Sequence, residues 1–194
     1  MQTSNYAVSE ATQDGFSYTL INKSAFYQKT IAIRERVLFK MVDLTVPIYK
    51  FFFKPKVSKW HVNVGMLKEF PEGTLGYDWA SFYDKQPFSI TDNYEEHDIC
   101  HVLLGYKTSI IEETKMYAFL HGTGKISIPT FFTIIIGCLV LPEFALEFYQ
   151  DYKKGKQALY FSNWDFRHLL HEKTDTLRQL IFRQRIMEDP DLFI

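Results

Sequence analysis

The chain is 194 residues long, enough for one domain with a substantial buried core. Hydrophobic residues make up 46% and charged residues 23%, the balance of a globular protein. A net charge of -1 and a pI near 6.6 exclude a nucleic-acid-binding role, which requires a basic face.

The first residues, 1–23, read as a flexible N-terminal segment, and residues 24–194 as a single helical domain. The N-terminus has no basic start and no apolar core, so it is not a secretory signal. It lacks Arg and carries Glu10 and Asp14, which speaks against a mitochondrial transit peptide. A cytoplasmic, bacterial chain is the simplest reading. Cys100 and Cys138 belong to no CxxC pair and read as free thiols of a reducing compartment.

From about Ser24 to Val42 the pattern is helical, with Phe26, Ile33, Val37 and Met41 at helical spacing. Thr45 to Phe53 is apolar around Pro47 and ambiguous, and Lys54-Pro55-Lys56 reads as a turn. Phe70 to Thr74 reads as a loop, followed by a short helix from Leu75 to Asp84 with Thr74 as its N-cap. Asp92 with Glu95 predicts a capping box for a helix that ends at Leu104 before Gly105. Ser109 with Glu112 predicts a second, for a helix running to about His121. The apolar run from Ile126 to Leu141 is interrupted by Pro129 and stopped by Pro142. It falls short of the roughly 20 residues of a membrane span and reads as a buried helix over Thr130 to Leu139. Helices are also expected from Pro142 to Lys153 and from Trp164 to Met187. No stretch alternates with a period of two, and there is no internal repeat, so the predicted fold is all-α: a single-domain helical bundle.

The chemistry concentrates in the string His97-Asp98-Ile99-Cys100-His101, followed after eleven intervening residues by Glu113. With His97 placed at 0° on its helix, His101 falls near ~40° and Asp98 near ~100°. Three polar side chains therefore share one face, while Ile99, Val102 and Leu103 take the other. The turn at Gly105 returns Glu113 toward them. The second capping box uses Glu112, which leaves Glu113 free for the site. Two His at i, i+4 with carboxylates suit zinc or another first-row ion, so His97, Asp98, His101 and Glu113 are the expected metal ligands. Tyr94, near ~60°, is a neighbour that either supports the ligands or simply packs. Cys100 reads as core. The pattern is not that of a zinc protease, whose HExxH carries a Glu general base between the ligands. His168 and His171 with Asp165 form a weaker rival among charged neighbours. A metal phosphohydrolase of the HD type would need His61 and Asp165 to converge on the same point.

The stretch HDICHVLLGYKTSIIEE closely resembles the signature of the coenzyme Q biosynthesis protein 4 family, HDxxH, eleven residues, then Glu. FPEGTLGYDWASFY, TGKISIPTFFTIIIG, YKKGKQA and WDFRHLLHEKTDTLR extend the resemblance over about Lys68 to Arg185. The chain departs from the family in having Tyr94, Glu95 and Glu96 where basic residues are usual, and Lys173 where a Pro is common. The resemblance implies an all-helical protein, peripheral to the membrane, with bound metal: zinc first, iron or magnesium as alternatives. It implies oxidative decarboxylation of a polyprenylated hydroxybenzoate, with His97, Asp98, His101 and Glu113 as the catalytic metal ligands. It also implies an isoprenoid or prenylated quinone precursor and other quinone-biosynthesis proteins as partners. The aromatic-rich sequence (18 Phe and 12 Tyr) adds the expectation of a homodimer. Phe131, Phe132, Ile134, Ile135 and Leu139, with Phe26, Ile33 and Val37, either wall an apolar prenyl-lipid pocket or form plain core. A non-catalytic prenyl-lipid-binding scaffold is the competing function.

Overall fold

A computed structural model describes residues 29–38, 40, 60–84, 86, 90 and 94–188. Helix α1 covers residues 29–38. It is followed by α2 (Val64–Leu67), α3 (Leu75–Tyr83), α4 (Glu95–Leu104), α5 (Ile110–Gly122) and α6 (Ile128–Val140). A 3-10 turn over Pro142–Phe144 then leads into α7 (Ala145–Lys156), and α8 covers Thr174–Glu188. The fold is all-α, and among the described residues the only β-type pairing is one isolated bridge, Thr74 to Lys173. The readings on Phe26, Met41, Asp92 and Thr45 to Lys56 lie outside the described residues.

Helix α5 packs against both α6 and α7, while α4 lies against α3 and α8. The main core joins Leu75 and Trp79 of α3, Ile99 and Leu103 of α4, Met116 and Phe119 of α5, and Leu177 and Ile181 of α8. A smaller cluster of Leu38, Ile110 and Leu141 ties α1 to the start of α5 and the end of α6. The Arg34 guanidinium reinforces that junction by donating to Glu143 and to the Val140 carbonyl.

Several helix boundaries differ from the predicted ones for local reasons. Thr74 is the N-cap of α3, but its hydroxyl donates to the Pro71 carbonyl. The first amides of that helix are instead satisfied by the carbonyls of Glu172 and Leu170. Helix α4 starts at Glu95 with Tyr94 at the N-cap. Glu95 is buried and accepts a hydrogen bond from the Trp60 backbone amide. The Ser109 cap holds, its hydroxyl accepting from the Glu112 amide, while the Glu112 carboxylate pairs with Lys115. The last helix begins at Thr174, not Trp164, because residues 164–173 form successive turns that pair with the start of α3.

One expectation about burial is corrected, and one open pair of alternatives is narrowed. On α1 the covered residues are Ile31 and Leu38, whereas Ile33 and Val37 are exposed. Helix α6 is not a buried helix. Its Gly137 face lies on Thr114 of α5, and the opposite side leaves Phe131, Phe132, Ile135 and Leu139 exposed, Leu139 by 75%. The covered side carries the smaller residues Thr130, Thr133 and Gly137, which let the helix approach α5, while those bulky residues face outward. No single helix among the described residues is long and apolar enough to cross a membrane. The two helical stretches Thr130–Val140 and Pro142–Lys156 reach that measure only together, bent by 109°.

Candidate metal centre

Helix α4 ends at Gly105, whose φ of 76° is the left-handed conformation that glycine adopts without a Cβ clash. The reversal brings the first turn of α5 back beside α4. Donor atoms of His97, His101 and Glu113 consequently lie within 4.8 Å of one another. Glu113 Oε2 is 3.2 Å from His97 Nε2, and its Oε1 is 2.9 Å from His101 Nε2.

The outward nitrogen of each ring is held from behind. His101 Nδ1 is 3.0 Å from the Tyr106 carbonyl, which can only accept, so this nitrogen carries the proton. His97 Nδ1 is 3.3 Å from Asp98 Oδ1, and the Tyr83 hydroxyl donates to the other Asp98 oxygen. A neutral histidine fixed in this way turns the lone pair of Nε2 inward, as in sites where a ligating imidazole donates its other N–H to a carboxylate or carbonyl. Lone pairs then face the Glu113 carboxylate, itself an acceptor, and only a proton or a metal cation makes such a meeting favourable. At His101 the buried Nε2 has no hydrogen-bond partner, although a Glu113 oxygen lies 2.9 Å away. These residues therefore fit a divalent ion.

Electrostatics point the same way. Burial disfavours the charged His97 ring, but hydrogen bonds to Asp98 and Glu113 overcome it and raise its pKa from 6.5 to about 9. Burial likewise disfavours the Glu113 carboxylate, and the two histidines overcome that too, lowering it from 4.5 to about 2. In the metal-free protein a proton on His97 thus occupies the direction a metal would take. The His97 contribution to stability is complete below its unfolded value of 6.5 and is lost as pH rises through about 9. That of Glu113 is present above 4.5 and is lost as pH falls through about 2. Two opposite trends are expected between pH 6.5 and 9. Denaturation of the metal-free protein should show falling stability, while titration with Zn(II) should show affinity rising by about tenfold per pH unit as one proton is displaced. A pH-independent affinity across that window would contradict the displaced proton on His97.

The expected residues fall into distinct places. His97, His101 and Glu113 converge. Asp98, read from the sequence as a fourth ligand, stands behind His97 and orients its ring. The Tyr94 ring meets His97 edge-on at 6.2 Å, and Tyr117 lies 5.9 Å from the same ring. Phe82 stacks on His101 at 5.6 Å. The His97 side chain is 26% exposed against 1% for His101, so the centre is sealed on the His101 side and open at His97 and Glu113. Cys100 is core, its thiol pushed up to about 11 by burial. The rival group does not assemble: His168 pairs with Asp165 at the surface, and His171 packs on Phe70. His61 is exposed. Sequence reasoning missed Tyr83, Tyr106 and Tyr117. The spacing of Tyr117 four residues after Glu113 was a usable signal, whereas Tyr83 comes from another helix and left none.

No family model matches the chain, and no curated protein matches it. Among solved structures it is similar to a crystal structure from Nostoc punctiforme, provisionally named a ubiquinone biosynthesis protein. The two are 20% identical with a TM-score of 0.46, over 82% of this chain and 88% of that one.

Proposed function

We propose that the protein is a metal-dependent enzyme of quinone biosynthesis, replacing the ring carboxyl of a polyprenylated hydroxybenzoate by a hydroxyl. The observation that carries the reading is the meeting of His97, His101 and Glu113, whose donor atoms lie within 4.8 Å of one another. The substrate class rests on the sequence resemblance running from about Lys68 to Arg185. His97, His101 and Glu113 would hold the ion, zinc first, with iron or magnesium as alternatives, and Asp98 would orient His97. Such an ion supplies Lewis acidity toward a ring carboxylate or phenolate. The open side at His97 and Glu113 leaves room for that carboxylate, and the Tyr94 and Tyr117 rings offer faces to an aromatic ring. Phe82 keeps water from the inner side. Dioxygen is the two-electron oxidant: the ring–carboxyl bond breaks with loss of CO2, a ring C–O bond forms with the oxygen of a water molecule, and the two electrons and two protons leave with dioxygen as hydrogen peroxide.

A second reading, a non-catalytic prenyl-lipid-binding scaffold for other quinone-biosynthesis proteins, is favoured by the exposed apolar face of α6. Phe131, Phe132, Ile135 and Leu139 there present a surface suited to an isoprenoid chain or to the membrane boundary. Both readings place the protein at the cytoplasmic membrane surface, as a homodimer.

Native mass spectrometry with elemental analysis separates these readings from their failure. Stoichiometric metal with a co-purified isoprenoid supports both, and finding neither removes both. Release of CO2 from a prenylated hydroxybenzoate under oxygen, absent in His101→Ala, distinguishes the enzyme from the scaffold.

A further inference from the structure

The sealed side of the centre continues outward through a chain of contacts that reaches a different helix. The Tyr106 carbonyl accepts from His101 Nδ1, and the hydroxyl of the same residue donates to Asp151 Oδ1 at 3.0 Å. Asp151 is 2% exposed and is met from the surface side by Lys154 Nζ at 2.7 Å. Burial pushes the Tyr106 phenol up, and the Asp151 charge adds to this, so the hydroxyl remains a donor.

Asp151 is also fixed on its own helix. It lies one turn before Gly155, on the face of α7 that carries the buried Phe148. At Gly155 the backbones of α5 and α7 come so close that an added Cβ would stand 2.0 Å from the Phe119 carbonyl oxygen. The register of α7 against α5 is thereby set, and with it the distance from Asp151 to Tyr106. Helix α5 also carries Glu113, so the donors and the outer support share one frame.

We propose that Asp151 and Tyr106 are positioning residues for the metal centre: Asp151 fixes Tyr106, and the Tyr106 carbonyl fixes the tautomer and orientation of the His101 ring. This rests on the metal reading above. It adds a residue on α7, remote in sequence from every ligand, whose effect travels through a backbone carbonyl.

The test uses the full chain loaded with Co(II), whose visible ligand-field bands report the geometry of the donors. Tyr106→Phe removes only the hydroxyl and leaves Asp151 paired with Lys154. It is expected to weaken metal binding by about tenfold to a hundredfold and to shift those bands. Asp151→Asn keeps an acceptor and should fall within about threefold of wild type. Tyr106→Phe combined with Asp151→Asn should be no weaker than Tyr106→Phe alone, since both act through one contact. A merely structural role would lower stability without moving the bands of the folded, loaded protein. In the metal-free protein the His101 Nδ1–H proton should be protected in the NMR spectrum of wild type and exchange faster in Tyr106→Phe. That readout stands even if a variant loads poorly. Wild-type affinity, bands and proton exchange in Tyr106→Phe would overturn the proposal while leaving the metal reading intact. A wild-type protein that binds no metal would overturn both.

Discussion

Replacing His101 by alanine is expected to abolish stoichiometric metal binding, with affinity falling by at least about a hundredfold. The magnitude follows from sharing the roughly 10–16 kcal/mol of a structural zinc site among its donors, on the order of 3 kcal/mol each. His101 is the donor with the least freedom, sealed from solvent, stacked on Phe82 and held at Nδ1 by the Tyr106 carbonyl. Truncation also empties a buried position, at about 2 kcal/mol in stability. Circular dichroism must therefore accompany the elemental analysis, and His101→Gln provides a variant of closer volume. Asp98→Asn gives the informative contrast. If Asp98 orients His97, as its contacts show, the loss should be only about tenfold. A loss as large as that of His101→Ala would make Asp98 a ligand. Full metal content in folded His101→Ala would refute the centre itself.

Gly155→Ala is expected to be the most disruptive small substitution in the fold. The new methyl would meet the Phe119 carbonyl oxygen at 2.0 Å and its carbon at 2.9 Å, and Gly122→Ala would meet the Tyr152 oxygen at 2.1 Å. These obstacles are backbone and cannot rotate away as a side chain can. The two helices would have to separate along an interface that buries Phe119 and Phe148. A cost of about 3 kcal/mol or more is expected, lowering the melting temperature by roughly 6–12 °C for a chain of this size. Gly105→Ala is the matched control. Nothing lies within 4 Å of its added Cβ, so only the strain of its φ of 76° remains, about 1–2 kcal/mol. If Gly155→Ala melts with Gly105→Ala or above it, the close crossing of α5 and α7 is wrong.

Local sequence carried the centre well, because its donors come from one helix pair. Helical spacing set His97 and His101 on one face and Gly105 marked the reversal, while the Glu112 carboxylate is drawn away by Lys115 and not by the expected box with Ser109. What local sequence could not carry was decided by other elements. Asp98 sits on the ligand side of its helix, yet the Tyr83 hydroxyl of α3 claims one of its oxygens. Helix α4 begins at Glu95, whose carboxylate accepts from the Trp60 amide. The turns over 164–173 have helical periodicity, and pairing with the start of α3 overrides it. On α6 the smaller residues Thr130, Thr133 and Gly137 marked the covered side, a sign that the apolar character of the run as a whole concealed.

The compactness of the ligand pair has a kinetic consequence. His97 and Glu113 are 16 residues apart, whereas Tyr106 and Asp151 are separated by 45. Closing the shorter loop costs less chain entropy, and contacts this local form early in folding. The expected order is that the α4–α5 hairpin gathers its donors first and the α7 contact arrives afterwards. Pulse-labelled hydrogen exchange that protected α7 before α4 and α5 would reverse it. A growing chain can therefore bring His97, His101 and Glu113 together before α7 has docked on α5.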